Sequence, residues 1–523
     1  MIVQSHSPPI SLRTWIVILA VGVLIFILNI DYTAVNLTLV PISEEIHVDL
    51  NNLQWLLSAY VLVWAAFVVP AGRLADLYGK RNALIGGLLI FMVGSCLAGI
   101  GQSIEILILG RVLQGIGAAV FSAPAWAFIF TSASPERQGF VMGVLLSFGG
   151  FGLATGPTLA GFIIEAVSWR WIFYINIPLG VLVIATLLVF SDKDVFAQVK
   201  QKIDVLGILL LSSGLCICVY ALNQMEVWGA TSPKLLGTAA FGVCLLGAYY
   251  FWDRLQEFRM VPPQLFRNKA YMAATFGEFF MAINFSMVLV LMGLYLQNTL
   301  HYSTYEAGLI FISMTISMGF LSPIGGKLID AFGVRRPMIF GALLTACGLG
   351  MMTFLNTDPT LGYVISSLFL VGTGLGTYFT ATSTAMMRSV PQEDLNVASG
   401  VFMMVMMVGN TLSIILSTSF VVIFGRNFLL KVTQENGFHL SSWQQKQLTD
   451  VIAKVEHSAA QLTTFSSEQV PFLLQWIDQA FVYGFSLNMM FGVLCALIAV
   501  GLTIWGVRNK DKTQPKIAVP NCH

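Results

Sequence analysis

Charge is scarce in this chain: of 523 residues only 10% are Asp, Glu, Lys or Arg, while 56% are hydrophobic and the mean hydropathy is +0.79. Soluble domains carry about 25% charged residues, so a water-soluble globular protein is excluded and an integral membrane protein is indicated. The net charge of +1 makes no case for a nucleic-acid partner, because in a membrane chain the placement of charge matters more than its sum. Cys96, Cys216, Cys218, Cys244, Cys347 and Cys495 fall inside apolar runs and Cys522 in the tail, none in an expected external loop, so no disulfide framework is expected. Cys216 and Cys218, two apart on a helix, point to different faces and make no metal pair. None of the six histidines lies in an expected span, which argues against a histidine relay. There is no P-loop pattern and no metal-ligand cluster, so neither ATP hydrolysis, an enzyme activity nor a bound metal is expected.

Long apolar runs are what the chain has in abundance. A helix rising 1.5 Å per residue needs about 20 apolar residues to cross hydrocarbon. Fourteen runs of that order lie near 15–37, 54–75, 82–101, 105–131, 139–165, 171–190, 204–222, 235–252, 271–296, 304–328, 337–355, 361–387, 396–424 and 480–507. The first follows Arg13, is longer than a secretory leader's apolar region, and carries Asp31 and Asn36, so it reads as a retained helix. An even number of spans puts both termini on one side. Twenty Lys and Arg fall on that side against six on the other, four of the six in one loop, with Arg111 left inside a span. The positive-inside rule then places both termini in the cytoplasm, for a multi-pass protein of the inner (plasma) membrane.

One decapeptide occurs twice. Gly72 to Arg81 reads GRLADLYGKR, and 254 residues later Gly326 to Arg335 reads GKLIDAFGVR. Each copy is a tight basic turn between two apolar runs, which makes the chain two halves of one design. Gly72, Gly79, Gly326 and Gly333 allow close helix approach and positive φ. Asp76 and Asp330 can accept from helix N-terminal amides or pair with Arg73, Arg81 or Arg335. In this pattern the chain resembles the major facilitator superfamily of secondary transporters, whose loop between the second and third helices of each half carries it as part of a cytoplasmic gate. The resemblance implies the all-α major facilitator fold, two six-helix bundles around a midplane site.

Gly115 and Gly117 return as Gly374 and Gly376 at an offset of 259, which leaves the spans at 204–222 and 235–252 as an insert. The superfamily's fourteen-span drug:proton antiporters carry such an extra central pair. The expected organisation is a six-helix bundle at 1–190, two inserted transmembrane helices with cytoplasmic linkers at 191–270, and a second six-helix bundle at 271–523 with an external loop at 425–479. In that loop Leu448, Val451, Ile452, Val455, Ala459 and Leu462 recur at helical spacing behind a capping-box pair, Ser442 and Gln445. One amphipathic helix is expected there, either docking a periplasmic adaptor protein or resting as a lid on the protein or the lipid bilayer.

Charges inside hydrocarbon are costly, and each marks function by default. Three stand within spans: Asp31 in NIDYTAVNLTLVP, Arg111 in LILGRVLQG and Glu278 in TFGEFFMAINF. Desolvation favours the neutral form of a carboxyl and a nearby guanidinium favours the charged form, so a pair of Asp31 and Arg111 can be balanced to exchange protons. Asp31, Thr33, Asn36 and Pro41 resemble the D-x-T-x-x-N motif of these antiporters, and Arg111, Gln114, Gly115 and Gly117 resemble their R-x-x-Q-G-x-G. That resemblance implies proton coupling by the acid and the arginine. Leu370 stands where Arg111 maps in the second half, which concentrates the charge chemistry in the first. Glu278 reads as a second proton site, a counter-charge for a cationic substrate, or a residue facing a water-filled vestibule. Span 13 holds no acid, only Asn396 and Asn410, which argues against a dicationic substrate.

Span 5 reads GGFGLATGPTLAGF, where Gly152, Gly156 and Gly161 line a face for close packing and Pro157 bends the helix. It resembles the superfamily's antiporter motif, G-x-x-x-G-P-x-x-x-G, associated with exporters. The next stretch, SWRWIFYINIPLG from Ser168 to Gly180, resembles the entry to the sixth helix of fourteen-span drug exporters. Its Trp169, Trp171 and Tyr174 form an interfacial aromatic belt. Met403, Met404, Met406 and Met407, with Met386 and Met387, offer either an adaptable apolar wall or plain core packing. Asn36, Gln114, Asn284, Met403 and Met407 are the substrate-cavity candidates. The expectation is a monomeric, proton-coupled antiporter that uses the proton gradient and no cofactor to export lipophilic small-molecule drugs or toxic compounds, cations among them, by alternating access. The alternatives are an exporter of one specific metabolite, siderophore or peptide on the same fold, and a non-transporting membrane receptor.

Overall fold

The computed structural model describes residues 10–192, 204–229, 232–436, 443–444 and 470–508. Among these no strand occurs. Hydrocarbon offers no partner to a free N–H or C=O, so each backbone group is satisfied within its own helix. The long helices of the first half are α1 (Leu12–Ile46), α2 (Leu50–Tyr78), α3 (Lys80–Ile100), α4 (Ile104–Ser132), α5 (Gln138–Ala166) and α6 (Trp171–Phe190). Two more follow, α7 (Val205–Asn223) and α8 (Pro233–Leu255). The second half contains α9 (Lys269–Leu294), α10 (Thr304–Phe332), α11 (Arg335–Met352), α12 (Leu361–Ser389), α13 (Leu395–Glu435) and α14 (Val470–Gly506).

Thirteen helices among the described residues are long and apolar enough to cross a membrane. The remaining expected span is α11, whose 18 residues open on Arg335 and Arg336 and so carry a diluted apolar stretch. Local chemistry sets several boundaries. Asn268 caps α9 by accepting from Ala270 N and Tyr271 N, and Ser303 with Glu306 forms a capping box at the start of α10.

The two halves repeat one packing scheme. α1 lies on α5 and α6, and α4 lies on α2 and α3; correspondingly α9 lies on α13 and α14, and α12 lies on α10 and α11. The halves meet along two seams, α5 with α10 and α2 with α13. The inserted α7 packs on α8 and α2, and reaches α13.

Two helices run past the expected loop limits of 425 and 479. α13 continues to Glu435 and α14 begins at Val470, so the segment between them narrows to 436–469. Counting apolar runs missed these turns because Arg426 and Lys431 interrupt the first and Gln475 and Asp478 the second, yet Leu429 and Thr433 stay buried and Phe428 stacks on Tyr483 at 5.0 Å. The expected amphipathic helix from Leu448 to Leu462 lies outside the described residues.

Candidate functional site

Within the first half, five polar side chains from four helices form one buried network around a carboxylate. Asp31, 0% exposed in the middle of α1, accepts from the Arg111 Nη1 of α4, from Gln114 Nε2 at 2.9 Å and from Asn176 Nδ2 of α6 at 3.1 Å. Ser95 of α3 accepts from both amides, Gln114 at 2.8 Å and Asn176 at 3.2 Å. Arg111, 1% exposed, also donates to Gln114 Oε1 at 2.8 Å and through Nε to the Leu56 carbonyl of α2 at 2.8 Å. Its guanidinium lies over the Tyr60 ring, 4.1 Å from the centroid. Both charges are thus paired, as burial of an ion pair demands.

The second half has a buried carboxyl in a different setting. Glu278 of α9 is 1% exposed and accepts from the Thr382 hydroxyl of α12. No cation pairs with it among the described residues. An ionised carboxylate without a cation is costly there, whereas a carboxylic acid can share a hydrogen bond with the hydroxyl.

The two decapeptides occupy matching places at one end of the seams. Asp330 of α10 accepts from Gly139 N and Phe140 N, both at 2.8 Å, and Asp76 of α2 accepts from Asn396 N at 3.3 Å, Val397 N at 3.2 Å and the Asn396 side chain. In each case these amides belong to the second and third residues of a helix from the opposite half, α5 or α13. Neither helix is capped by its own N-cap side chain, Arg137 or Asp394. Asp76 and Asp330 therefore serve as N-caps across the seam. Arg388 reinforces one lock at 3.1 Å from Asp330, and Arg73 the other at 3.9 Å from Asp394.

The glycines divide into two roles. A Cβ at Gly72 would strike the Asn396 carbonyl, and one at Gly326 the Gly139 carbonyl, so the two halves can approach this closely only on bare backbone. Gly79 and Gly333 end their helices at φ of 92° and 81°. Arg81 and Arg335 also tie each decapeptide to its own half. Arg81 donates to Leu187 O at 3.2 Å and Leu188 O at 2.9 Å, and Arg335 to Ile504 O at 3.3 Å, each at the C-terminus of the last helix of its own half.

Other expected site residues scatter. Gly152 and Gly156 press α5 onto Asn29, Phe26 and Thr33 of α1, but Gly161 has nothing within 4 Å and is not part of that face. Pro157 lies inside α5, which continues through it. Gln114 belongs to the Asp31 network. Asn36 is exposed and donates to Tyr32 O and Thr33 O of its own helix, both at 3.3 Å. Asn284 is buried facing Gly492 of α14, and Met403 and Met407 are buried in α13. Asn396, read from sequence as part of the polar character of span 13, is a partner of Asp76. Sequence reasoning missed Asn176, Ser95 and Tyr60. Asn176 stands inside the SWRWIFYINIPLG stretch, the signal that pointed to it.

The sequence profile described as Major Facilitator Superfamily matches residues 19–255 and 274–443. The chain belongs to the Major Facilitator Superfamily. It is a multi-pass membrane transporter of small molecules, and not an enzyme. Among superfamily relatives, it is 29% identical over 410 residues to a tetracenomycin C resistance and export protein of Streptomyces glaucescens, covering 78% of this chain and 76% of that one. It is 31% identical over 402 residues to multidrug resistance protein Stp of Mycobacterium tuberculosis, covering 76% and 73%. The fold is similar to the major facilitator proton:xylose symporter XylE, with a TM-score of 0.57 at 13% identity over 94% of this chain and 96% of that one.

Proposed function

We propose that this transporter is a proton-coupled antiporter that exports lipophilic drugs or toxic compounds, cations among them, across the inner membrane by alternating access, with both termini in the cytoplasm. The observation that carries the reading is the buried Asp31 network: an acid and an arginine deep in hydrocarbon, joined to α2, the helix that bears a gate aspartate. In the present arrangement the gate is locked at Asp76 and Asp330 while Asp31 is paired. Protonation of Asp31 removes the charge that holds Arg111 and favours release of the lock, and binding of a lipophilic cation displaces the proton. Glu278 is a second site of proton exchange, served by Thr382. The proton gradient replaces any cofactor.

The chain is similar both to proteins named for one antibiotic, tetracenomycin C, and to proteins named for many drugs, so breadth of substrate is part of the test. Purified protein in liposomes with an imposed pH gradient is expected to move several unrelated lipophilic cations and to lose that movement when the gradient is collapsed. Movement of a single compound turns the reading to a specific exporter. Movement that ignores the gradient contradicts proton coupling.

A further inference from the structure

Arg111 is tied to α2 twice. Its Nε bonds the Leu56 carbonyl at 2.8 Å and its guanidinium lies 4.1 Å from the Tyr60 ring centroid. Leu56 and Tyr60 are four apart and so share one face of the helix. The helices are in close contact at this level, since a Cβ at Gly115 of α4 would crowd the Tyr60 carbonyl. Tyr60 is 0% exposed, and among the described residues its hydroxyl has no hydrogen-bond partner. The contact of Tyr60 with the network is thus made by its ring face on the guanidinium. Sixteen residues further along α2, about 24 Å at 1.5 Å per residue, Asp76 caps α13 of the opposite half. α2 is continuous between the two through Pro70.

We infer that Tyr60 is a positioning residue that clamps Arg111 to α2, so that loss of the Asp31 charge displaces α2 and, through Asp76, loosens the gate. This rests on the reading of Asp31 as a proton site. The charged and titratable groups around the network are Arg111 from α4, Tyr60 from α2 and Tyr32 of α1 itself. From α3 and α6 only the neutral Ser95 and Asn176 reach it, and no hydrogen bond or ion pair links a side chain of α5 to Asp31 among the described residues. The aromatic face attracts the guanidinium whichever state Asp31 is in, which is what a mechanical link requires.

The test uses full-length protein with spin labels at positions 78 and 392, both exposed at the gate end, in a background lacking the native cysteines. Acidification is expected to raise the open-gate fraction in the native background. Tyr60→Phe, which keeps the ring, is expected to match it, while Tyr60→Leu reduces the pH-dependent change about tenfold, within the usual range of coupling strengths. Proton release on adding tetraphenylphosphonium is expected to survive in both variants, because Asp31 and Arg111 remain. Should Tyr60→Leu not fold, Tyr60→Met supplies the same contrast. Native gating in Tyr60→Leu with proton release intact overturns the clamp alone. Loss in Tyr60→Phe as large as in Tyr60→Leu overturns the ring's role. Native proton release that persists in Asp31→Asn overturns the reading of Asp31, and the clamp with it.

Discussion

The two halves agree at the decapeptide contacts and differ at the buried acid. Asp76 and Asp330 cap the same two positions of α13 and α5, Gly72 and Gly326 meet corresponding carbonyls, and Arg81 and Arg335 hold the ends of α6 and α14. Asp31 by contrast accepts from a cation and two amides, whereas Glu278 has one hydroxyl. Opening at that end requires both seams to part, so the lock has to be built twice. On the proposed mechanism, the charge that drives the opening needs to exist only once, provided its movement reaches those contacts.

That comparison can be broken at several strengths. Arg111→Ala leaves Asp31 buried without its cation and is expected to cost about 3–5 kcal/mol, against about 1–3 kcal/mol for Thr382→Val beside Glu278; equal losses in thermal unfolding would erase the distinction between the halves. Gly72→Ala and Gly326→Ala each force a Cβ into an opposing carbonyl and are expected to disfavour the locked state by about 1–3 kcal/mol. Spin-label distances across each seam should show the same shift for both, and an effect confined to one would mean that the locks are not equivalent. Asp76→Ala and Asp330→Ala remove helix caps of about 1 kcal/mol each and should add nearly independently when combined, which unfolding curves of the double variant would check. Gly161→Ala, on an open stretch of α5, should stay within about 0.5 kcal/mol of the native protein, in contrast to Gly156→Ala against Thr33.

The repeat of the decapeptide and the fourteen apolar runs were legible because each is a linear pattern. Asp31 and Arg111 were legible because a charge within an apolar run is too costly to persist there without a role. The remainder depended on helix rotation. Nothing in a run of apolar letters says that Ser95 and Asn176 face Asp31, that Asn36 five residues on turns outward, or that Gly161 falls off the face shared by Gly152 and Gly156. Asp76 and Asp330 were open between helix amides and arginines, and only the juxtaposition of halves resolves it: amides cap both carboxylates, Arg388 adds an ion pair to Asp330, and Arg81 and Arg335 reach carbonyl oxygens. The borders of the segment between α13 and α14 were misplaced where these helices stay helical by packing on each other rather than by being continuously apolar.

Proton release from the purified transporter on addition of tetraphenylphosphonium, compared among the native chain, Asp31→Asn and Glu278→Gln, tests the asymmetry most directly. The account predicts release that vanishes in Asp31→Asn and persists, reduced, in Glu278→Gln. Undiminished release from Asp31→Asn, with loss in Glu278→Gln, would move the coupling acid to the second half and contradict it.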